Sequence, residues 1–228
     1  MPASAPDGVL GFDTDTALTA HAAATLFAEG YRFAIRYVSR SAAADAGDLT
    51  ATEANLLLQA GLALMPVQHV RAQGWTPSQE LGISDGLAAA YHAFCIGFPA
   101  GVNVWCDLEG IASPIDPQEV IDYAKAWFAT VAATPYLPGL YVGAGSILTA
   151  NTLGFQLPFE HYWKSMSQVP EPAGRGYQMV QSATTTVAGI AIDPDRTQTD
   201  QRGGQVQWLT PATASTHAVP SRPSVTAD

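Results

Sequence analysis

Basic residues are scarce in this sequence. Its 228 residues include 10 lysines and arginines against 20 aspartates and glutamates, and the formal net charge is −10 at pH 7. A protein that binds duplex nucleic acid needs a basic face to displace the counterions of the phosphates. Anionic membrane surfaces attract the same kind of face. We therefore expect no nucleic-acid partner, and attraction to anionic membranes is disfavoured.

Long apolar runs and cysteines are scarce as well. No segment approaches the roughly 20 apolar residues that a membrane-spanning helix needs. Residues Met1–Asp7 lack the basic start and the apolar stretch of a secretory signal, so an extracytoplasmic location would require a removed signal or another export route. Cys95 and Cys106 have no metal-ligand spacing, and their apolar surroundings favour two buried thiols over a disulfide.

Several motifs of common chemistries are also missing. The sequence contains no P-loop, no complete glycine loop for a dinucleotide and no Gly-x-Ser-x-Gly nucleophile elbow. Its five histidines show no His-Glu-x-x-His spacing. We therefore predict neither a cofactor nor a metal, the alternative being a Ca²⁺ or Mg²⁺ site on clustered carboxylates.

Short apolar runs alternate with longer helical patterns along most of the chain. This alternation predicts five βα units followed by three strands, which is an α/β fold with a mostly parallel sheet. Eight strands favour closure into a TIM-like barrel, with an open doubly wound sheet as the alternative. We assign residues 8–209 to this barrel domain and residues 210–228, rich in Pro, Ser and Thr, to a disordered tail. The predicted strands are Val9–Asp13, Arg32–Val38, Leu62–Val67, Val102–Asp107, Leu140–Gly143, His161–Ser165, Tyr177–Gln181 and Ile190–Asp193.

Two helical signals are more specific than the rest. Thr50 and Glu53 have the spacing of a capping box, in which the hydroxyl bonds forward and the carboxylate reaches back. Ser146–Leu153 is predicted to form a short helix after the fifth strand.

Acidic residues end three of the predicted strands. Asp13 ends the first strand, Asp107 and Glu109 end the fourth, and Asp193 ends the eighth. Residues two apart on a strand share a face, so Asp107 and Glu109 point the same way. The first and eighth strands of a closed barrel are neighbours, which would place Asp13 beside Asp193. The carboxyl ends of the strands are where such a barrel carries its chemistry.

A carboxylate cluster of this kind suits the cleavage of a glycosidic bond. One acid protonates the leaving oxygen, and an anion stabilises the oxocarbenium-like centre. Neighbouring carboxylates raise each other's pKa, which keeps an acid protonated near neutral pH. We predict Glu109 as that acid, with Asp107 as its charged neighbour. For each acid alone, the alternative is a helix N-cap or a turn residue.

Aromatic and polar side chains in or near the strands are candidates for sugar contact. Sugar rings stack on aromatic rings, and a concave site adds a few polar anchors. For each of these aromatic residues alone, a place in the core is the alternative. Arg36 is instead predicted to be the buried partner of an acid. The candidate substrate-binding residues are Tyr37, Gln68, Tyr141, Trp163, Gln178 and Asp195.

The ordered set of motifs resembles the family 25 glycoside hydrolases, which are the Chalaropsis-type lysozymes. The motifs are Gly11–Asp13, Asp107–Glu109, Tyr177–Gln178 and Gly189–Asp193. A bacterial glycoside-hydrolase-like domain of unknown function, related to that family, is more similar still. The resemblance covers about residues 8–209 and implies a barrel of five βα units plus three strands. The segments that carry the closer resemblance are Gly30–Tyr37, Ala63–Val70, Gly101–Gly110, Gly139–Gly143 and His161–Lys164.

The resemblance also implies roles for individual residues. Glu109 would be the general acid, Asp107 would assist it, and Asp13 and Asp193 would complete an acidic floor. Asp195 stands where the family 25 enzymes carry Asn. The residues implied to line the sugar groove are Tyr141, Trp163 and Gln178.

The implied activity is O-glycosyl hydrolysis of peptidoglycan or a related bacterial polysaccharide, which would be the protein's partner. Two alternatives remain open on the same barrel. One is a glycan-binding module without catalysis, and the other is a structural or cargo component of a larger assembly. The oligomeric state does not follow from the sequence.

Overall fold

The structure is a computed structural model that describes residues 1–211. This part of the chain contains four α-helices, namely α1 (Ala20–Ala28), α2 (Ala51–Gln59), α3 (Gln79–Ile96) and α4 (Pro117–Ala132), and one π-helix (Thr152–Gln156). Its strands are β1 (Pro2–Ser4), β2 (Leu10–Thr14), β3 (Phe33–Val38), β4 (Ala63–Gln68), β5 (Asn103–Leu108), β6 (Leu137–Val142), β7 (His161–Lys164), β8 (Met179–Gln181), β9 (Thr185–Val187), β10 (Ile190–Thr197) and β11 (Gln207–Leu209).

Eight strands form a closed barrel, which confirms the predicted TIM-like α/β architecture. Strands β2 to β8 pair in parallel in chain order, and β10 closes the circle between β8 and β2. A helix follows each of the first five barrel strands, and the last three strands have none between them. The other three strands lie outside the circle, where β1 pairs with β11, β11 with β4, and β9 with β10.

The last barrel strand runs opposite to the others. We had placed Asp193 at the end of a strand, but β10 is antiparallel to both of its neighbours and continues to Thr197. A parallel strand would need a crossover of a dozen or more residues, and the connection from β8 is too short for one. Because β10 starts where the parallel strands end, Asp193 still lies beside Asp13, and Asp195 lies one pleat deeper beside Gly11.

The helices begin at side chains that cap their free N–H groups. Thr19, Thr50, Ser78 and Asp116 each accept a hydrogen bond from the first turn of their helix. The predicted capping box is only half correct. Thr50 accepts from the N–H of Glu53, but the Glu53 carboxylate accepts from Arg36 and from the N–H of Leu18.

Arg36 explains why the Glu53 carboxylate does not complete the capping box. The Arg36 side chain is fully buried, with Nε 2.8 Å from Oε1 of Glu53 and one terminal nitrogen 2.7 Å from the Gly47 carbonyl oxygen. A buried guanidinium without a carboxylate would carry a large desolvation cost. The prediction that Arg36 is the buried partner of an acid is therefore confirmed.

Two local predictions were wrong. The expected helix Ser146–Leu153 is replaced by the π-helix Thr152–Gln156, because Ile147 has a positive φ of 54° that a helix cannot include. Cys106 is buried as expected, but Cys95 is an exposed free thiol. Its apolar neighbours in sequence suggested burial, yet Phe94 beside it is itself 75% exposed.

The proposed domain boundaries stay a prediction. Strand β1 lies before residue 8 and joins the sheet through β11. The part of the predicted tail from residue 212 onward lies outside the described residues. Within residues 1–211, none of the helices combines the length and apolar character needed to cross a membrane.

Helix α3 packs closely on α4 through two glycines. A Cβ added to Gly82 would lie 2.3 Å from the carbonyl oxygen of Tyr123, and one added to Gly86 would lie 3.0 Å from that of Trp127. These positions let the two helix backbones approach each other more closely than side chains would allow. One face of α3 is thereby buried on α4.

Replacing Gly82 by alanine tests this contact. The new Cβ has no room, so we expect the free energy of unfolding to fall by roughly 1–3 kcal/mol, despite the ~1 kcal/mol that alanine gains in helix propensity. Urea titration measures the change. Ser84→Ala, at an exposed position of the same helix, is the control and should not lower stability. A Gly82→Ala protein more stable than the parent would contradict the close packing.

Candidate active site

Five acidic side chains from three strands meet at the carboxyl end of the barrel. Asp13 lies on β2 and Asp107 on β5, and Glu109 is the first residue after β5. Asp193 and Asp195 lie on β10. Their proximity is visible in their mutual electrostatics, because most of these carboxyls raise the pKa of another member of the group. The structure thus brings together all four predicted catalytic residues and Asp195. We call these five residues the acidic cluster.

A cleft of about 260 Å³ opens at the acidic cluster. It is bounded by the ends of β2, β3 and β4 on one side and by the start of β10 on the other. No lysine or arginine is among the described residues that line it. The lining residues are Asp13, Thr14, Asp15, Tyr37, His69, Val70, Thr184, Ala191, Ile192 and Asp193.

Gln181 connects several members of the site. Its amide nitrogen lies 2.7 Å from Oδ2 of Asp13 and 3.4 Å from Oδ2 of Asp193, and its carbonyl oxygen accepts from the Tyr141 hydroxyl at 2.9 Å. Gln181 is absent from the predicted substrate-binding residues, which include Gln178 instead. Alternation along β8 carried a usable signal, because residues three apart on a strand face opposite sides and only Gln181 stands at the strand's carboxyl end.

Asp107 and Asp195 are both buried, with 3% and 1% of their surface exposed. Burial first, and then nearby carboxylates, raise the pKa of both side chains well above the ordinary range. Trp163 donates to Oδ1 of Asp195 at 2.8 Å. Within the described part of the chain, Oδ1 of Asp107 and Oδ2 of Asp195 are buried without a hydrogen-bond partner. Such burial favours the protonated form of a carboxyl group.

Asp13 and Glu109 also have raised pKa values. Burial raises the pKa of Asp13 to about 7, the hydrogen bond from Gln181 opposes the rise, and the nearby Asp193 carboxylate adds to it. Burial is also the main cause for Glu109, whose pKa rises further because Asp193 is close. Glu109 is only partly buried, whereas Asp13 is 2% exposed.

Glu109 is held in place by a glycine and a tryptophan. A Cβ at Gly143, just after β6, would lie 2.3 Å from Cβ of Glu109 and 2.6 Å from its Oε2. Any larger residue at position 143 would displace the carboxyl group. On the main chain, the Trp75 indole N–H donates to the Glu109 carbonyl oxygen at 2.7 Å.

Tyr37 and Tyr141 lie beside the acidic cluster, and their contact with a sugar stays a prediction. The Tyr37 hydroxyl donates to Oδ1 of Asp13 at 3.3 Å, and the Tyr141 hydroxyl is bound to Gln181. His69 stacks on Tyr37 at a ring distance of 4.8 Å and its Nε2 lies 2.7 Å from Oδ1 of Asp48. His69 lines the cleft, although its role could not be chosen from the sequence.

Of the six candidate substrate-binding residues, Tyr37 alone is among the described residues that line the cleft. Tyr141 and Asp195 stay beside the acidic cluster through their hydrogen bonds with Gln181 and Trp163, and the other three do not reach the cleft.

Gln68 faces the helices, where its amide contacts the Tyr123 hydroxyl and the Trp127 indole N–H. Gln178 accepts from the N–H of Tyr162 at 2.7 Å and is fully buried. In both cases the strand alternation turns the amide away from the cleft.

Trp163 is the third of these residues. It is 1% exposed and packs edge to face on Tyr141 and Trp105, with ring distances of 4.4 and 5.9 Å. Its ring lies beneath the site and offers no face to a sugar. Its indole N–H, which holds Asp195, is its contribution to the acidic cluster.

The acidic cluster does not have the arrangement of a metal site. Across residues 1–211, no group of three or more His, Cys, Asp and Glu side chains is placed so that it could hold a metal ion. The arrangement instead offers carboxyl groups of unequal burial around an open cleft. Groups of this kind can give and take protons near neutral pH.

Comparison with known families gives one match. Residues 24–201 match the family of Rv2525c-like, glycoside hydrolase-like domains. No curated protein sequence matches the chain.

Several solved structures share the fold. An uncharacterized B. stearothermophilus protein superposes with a TM-score of 0.62 at 20% identity, over 86% of this chain and 97% of that one. The Mycobacterium tuberculosis Tat-secreted protein Rv2525c, in complex with L-tartrate, gives 0.60 at 15% identity, over 88% and 99%. A bacterial lysozyme from Streptomyces coelicolor gives 0.57 at 16% identity, over 85% and 93%. Identities this low show a common fold and nothing finer.

The raised pKa of Asp13 makes stability depend on pH. The folded protein holds this proton more tightly than the unfolded chain, so the stabilisation is complete below pH 3.8 and is lost as the pH rises through about 7. We expect the stability advantage of the parent over Asp13→Asn to shrink by up to about 4 kcal/mol across that range.

Urea denaturation at a series of pH values measures this difference. Phe12→Leu, a core substitution on the same strand that cannot titrate, serves as the control and should shift stability by a constant amount. A stability difference for Asp13→Asn that stays constant with pH would contradict the assignment.

Proposed function

The chain belongs to the family of Rv2525c-like, glycoside hydrolase-like domains, and from this premise we propose that its acidic cluster hydrolyses glycosidic bonds. The proposed substrate is peptidoglycan or a related bacterial polysaccharide. The observation that carries the proposal is the convergence of five carboxyl groups beside a cleft that Asp13 and Asp193 line. Burial raises the pKa of the other members of the group, as it does that of Asp13.

Glu109 is the proposed general acid. It is more exposed than Asp107 or Asp13, so it can reach a bound glycosidic oxygen. Its pKa is raised by burial and by Asp193, which keeps the proton available in the pH range where an acid catalyst works. Gly143 leaves room for the carboxyl group and fixes its direction.

Asp193 and Asp13 are the proposed partners of the developing positive charge. They lie side by side across the β2–β10 pair and both face the cleft. As the glycosidic bond breaks, a carboxylate here stabilises the oxocarbenium-like centre. Gln181 positions both groups through its amide N–H bonds. Asp107 and Asp195, buried and protonated, limit the total charge of the acidic cluster.

Two relatives support the proposed substrate and location. The Streptomyces coelicolor protein with the same fold is a lysozyme, and the Mycobacterium tuberculosis relative is Tat-secreted. We accordingly place the activity outside the cytoplasm, on cell-wall glycan. An acidic cleft without basic residues also favours a glycan over a polyanion.

A Glu109→Gln substitution tests the catalytic role. The amide keeps the shape but cannot donate a proton to the leaving oxygen, so we expect the release of reducing ends from peptidoglycan to fall by about 10²–10⁴-fold. Binding of the glycan, measured by co-sedimentation with peptidoglycan, should stay within a few-fold. Glu119→Gln, at an exposed position in the first turn of α4, is the matched control and should keep full activity.

The pH dependence adds a second readout to this experiment. Glu109 must be protonated to act, so the rate should fall as the pH rises through its raised pKa. Parent-like turnover by Glu109→Gln would refute the role of Glu109. Glycan binding without release of reducing ends by the parent, at any pH from acidic to neutral, would instead establish a non-catalytic binding module.

A further inference from the structure

One face of α3 is apolar and exposed to solvent. Ile83, Leu87, Tyr91 and Phe94 are 42%, 58%, 54% and 75% exposed. Their spacing places them on one stripe of the helix, on a different side from the glycines that pack on α4. We call these four side chains the α3 face.

A groove borders the α3 face. It has a volume of about 490 Å³, and its walls are apolar apart from Thr134 and the tyrosine hydroxyls. A ridge of side chains and a groove thus lie next to each other on one surface. The groove is lined by Leu87, Ala90, Tyr91, Phe94, Phe98, Ala100, Thr134, Pro135 and Tyr136.

Few charged side chains lie beside the α3 face. From residue 81 to residue 106 the only charged side chain is Asp85, which is buried and paired with Arg71 at 2.6 Å. Arg40 borders the face, because it lines a second groove together with Leu87 and Tyr91. The whole chain carries a net charge of −10, so two copies repel each other through most other surfaces. The four side chains of the α3 face are uncharged, so two copies can meet there without opposing carboxylates.

The α3 face supplies about three-quarters of the area that the smallest specific interfaces bury. A large side chain offers on the order of 200 Å² when fully exposed, so the four fractions leave about 450 Å² of apolar surface on each copy. Burial on both copies removes about 900 Å² from water, and the groove walls add to it. Specific interfaces bury about 1,200–2,000 Å² in total.

We propose that the α3 face is the interface of a homodimer, with α3 packed antiparallel on α3 of a second copy. A two-fold axis near the middle of the face places Leu87 opposite Tyr91 of the second copy and Ile83 opposite Phe94 of the second copy. Each pair then combines an aliphatic with an aromatic side chain. The ridge and the groove supply the self-complementary surface that a two-fold interface needs.

A lipid surface is the principal competing occupant, and the charges disfavour it. Arg40 borders the α3 face, but no lysine or arginine occurs between residues 72 and 124, whereas a membrane-binding helix carries several basic residues beside its apolar face. Binding to anionic vesicles therefore serves as one outcome of the test below.

Sedimentation velocity over micromolar to submillimolar concentrations tests the dimer. We expect reversible dimerisation of the parent, and Leu87→Glu and Phe94→Glu should each raise the dissociation constant at least about 30-fold, since each buries a charge within the interface. Phe155→Glu replaces an aromatic that is 66% exposed on the π-helix, and it should dimerise like the parent. Thermal unfolding with unchanged cooperativity confirms that the variants fold.

Mixed crosslinking tests the register separately. In a Cys95→Ser background, Leu87→Cys should form a disulfide with Tyr91→Cys of a second copy faster than with Phe94→Cys. A parent that stays monomeric at all these concentrations, a dimer that survives both glutamate substitutions, or sedimentation of a monomeric parent with anionic vesicles would each overturn the proposal. None of these results depends on glycan hydrolysis.

Discussion

The antiparallel pairing of β10 with β2 and β8 is the constraint on which the candidate site depends. Its register places Asp193 opposite Asp13 and Asp195 opposite Gln181. A strand shifted by one residue would turn both aspartates to the other face of the barrel. This single pairing therefore places Asp193 beside Asp13 and sets the environment of Asp195. It also determines the hydrogen bonds that the Gln181 amide makes to Asp13 and Asp193.

The acidic cluster is stable only because its carboxyls are not all charged. Five carboxyl groups in a poorly solvated space repel one another, and burial raises the free energy of every ionised form. Burial and nearby carboxylates raise the pKa of Asp107 and Asp195 well above the ordinary range, which favours the protonated form of both side chains. Gln181, Tyr37 and Trp163 supply hydrogen bonds to the others. The same environment that costs stability near neutral pH keeps protons available for chemistry.

Helix α3 has two faces with different consequences. Its glycine face allows the close approach to α4, and α3 leads into β5, the strand that carries Asp107 and precedes Glu109. Its apolar face remains exposed although the barrel is otherwise well covered. The packing of the fold explains the glycine face but not the exposed apolar face. A partner is the natural explanation for the apolar face.

Much of the fold followed from local patterns. The alternation of apolar runs with helical periods predicted the five βα units and the three final strands, because such periods depend on neighbours in sequence. The acids at strand ends were also visible, since the position of a residue on a strand determines its side of the sheet. Gln68 and Gln178 do not reach the cleft, contrary to the prediction. Alternation shows which residues of a strand share a face, but closure of the sheet decides which of the two faces points into the barrel.

The sequence by itself determined the element order, the acidic balance and the acidic residues on three strands. The tertiary structure decided the direction of β10, the burial of each carboxyl, the role of Gln181 and the exposure of the α3 face. Strand direction, burial and exposure depend on contacts between residues far apart in the chain, such as Asp13 and Gln181. No local pattern encodes the solvation that these contacts remove, and that solvation sets the pKa values on which the proposed chemistry depends.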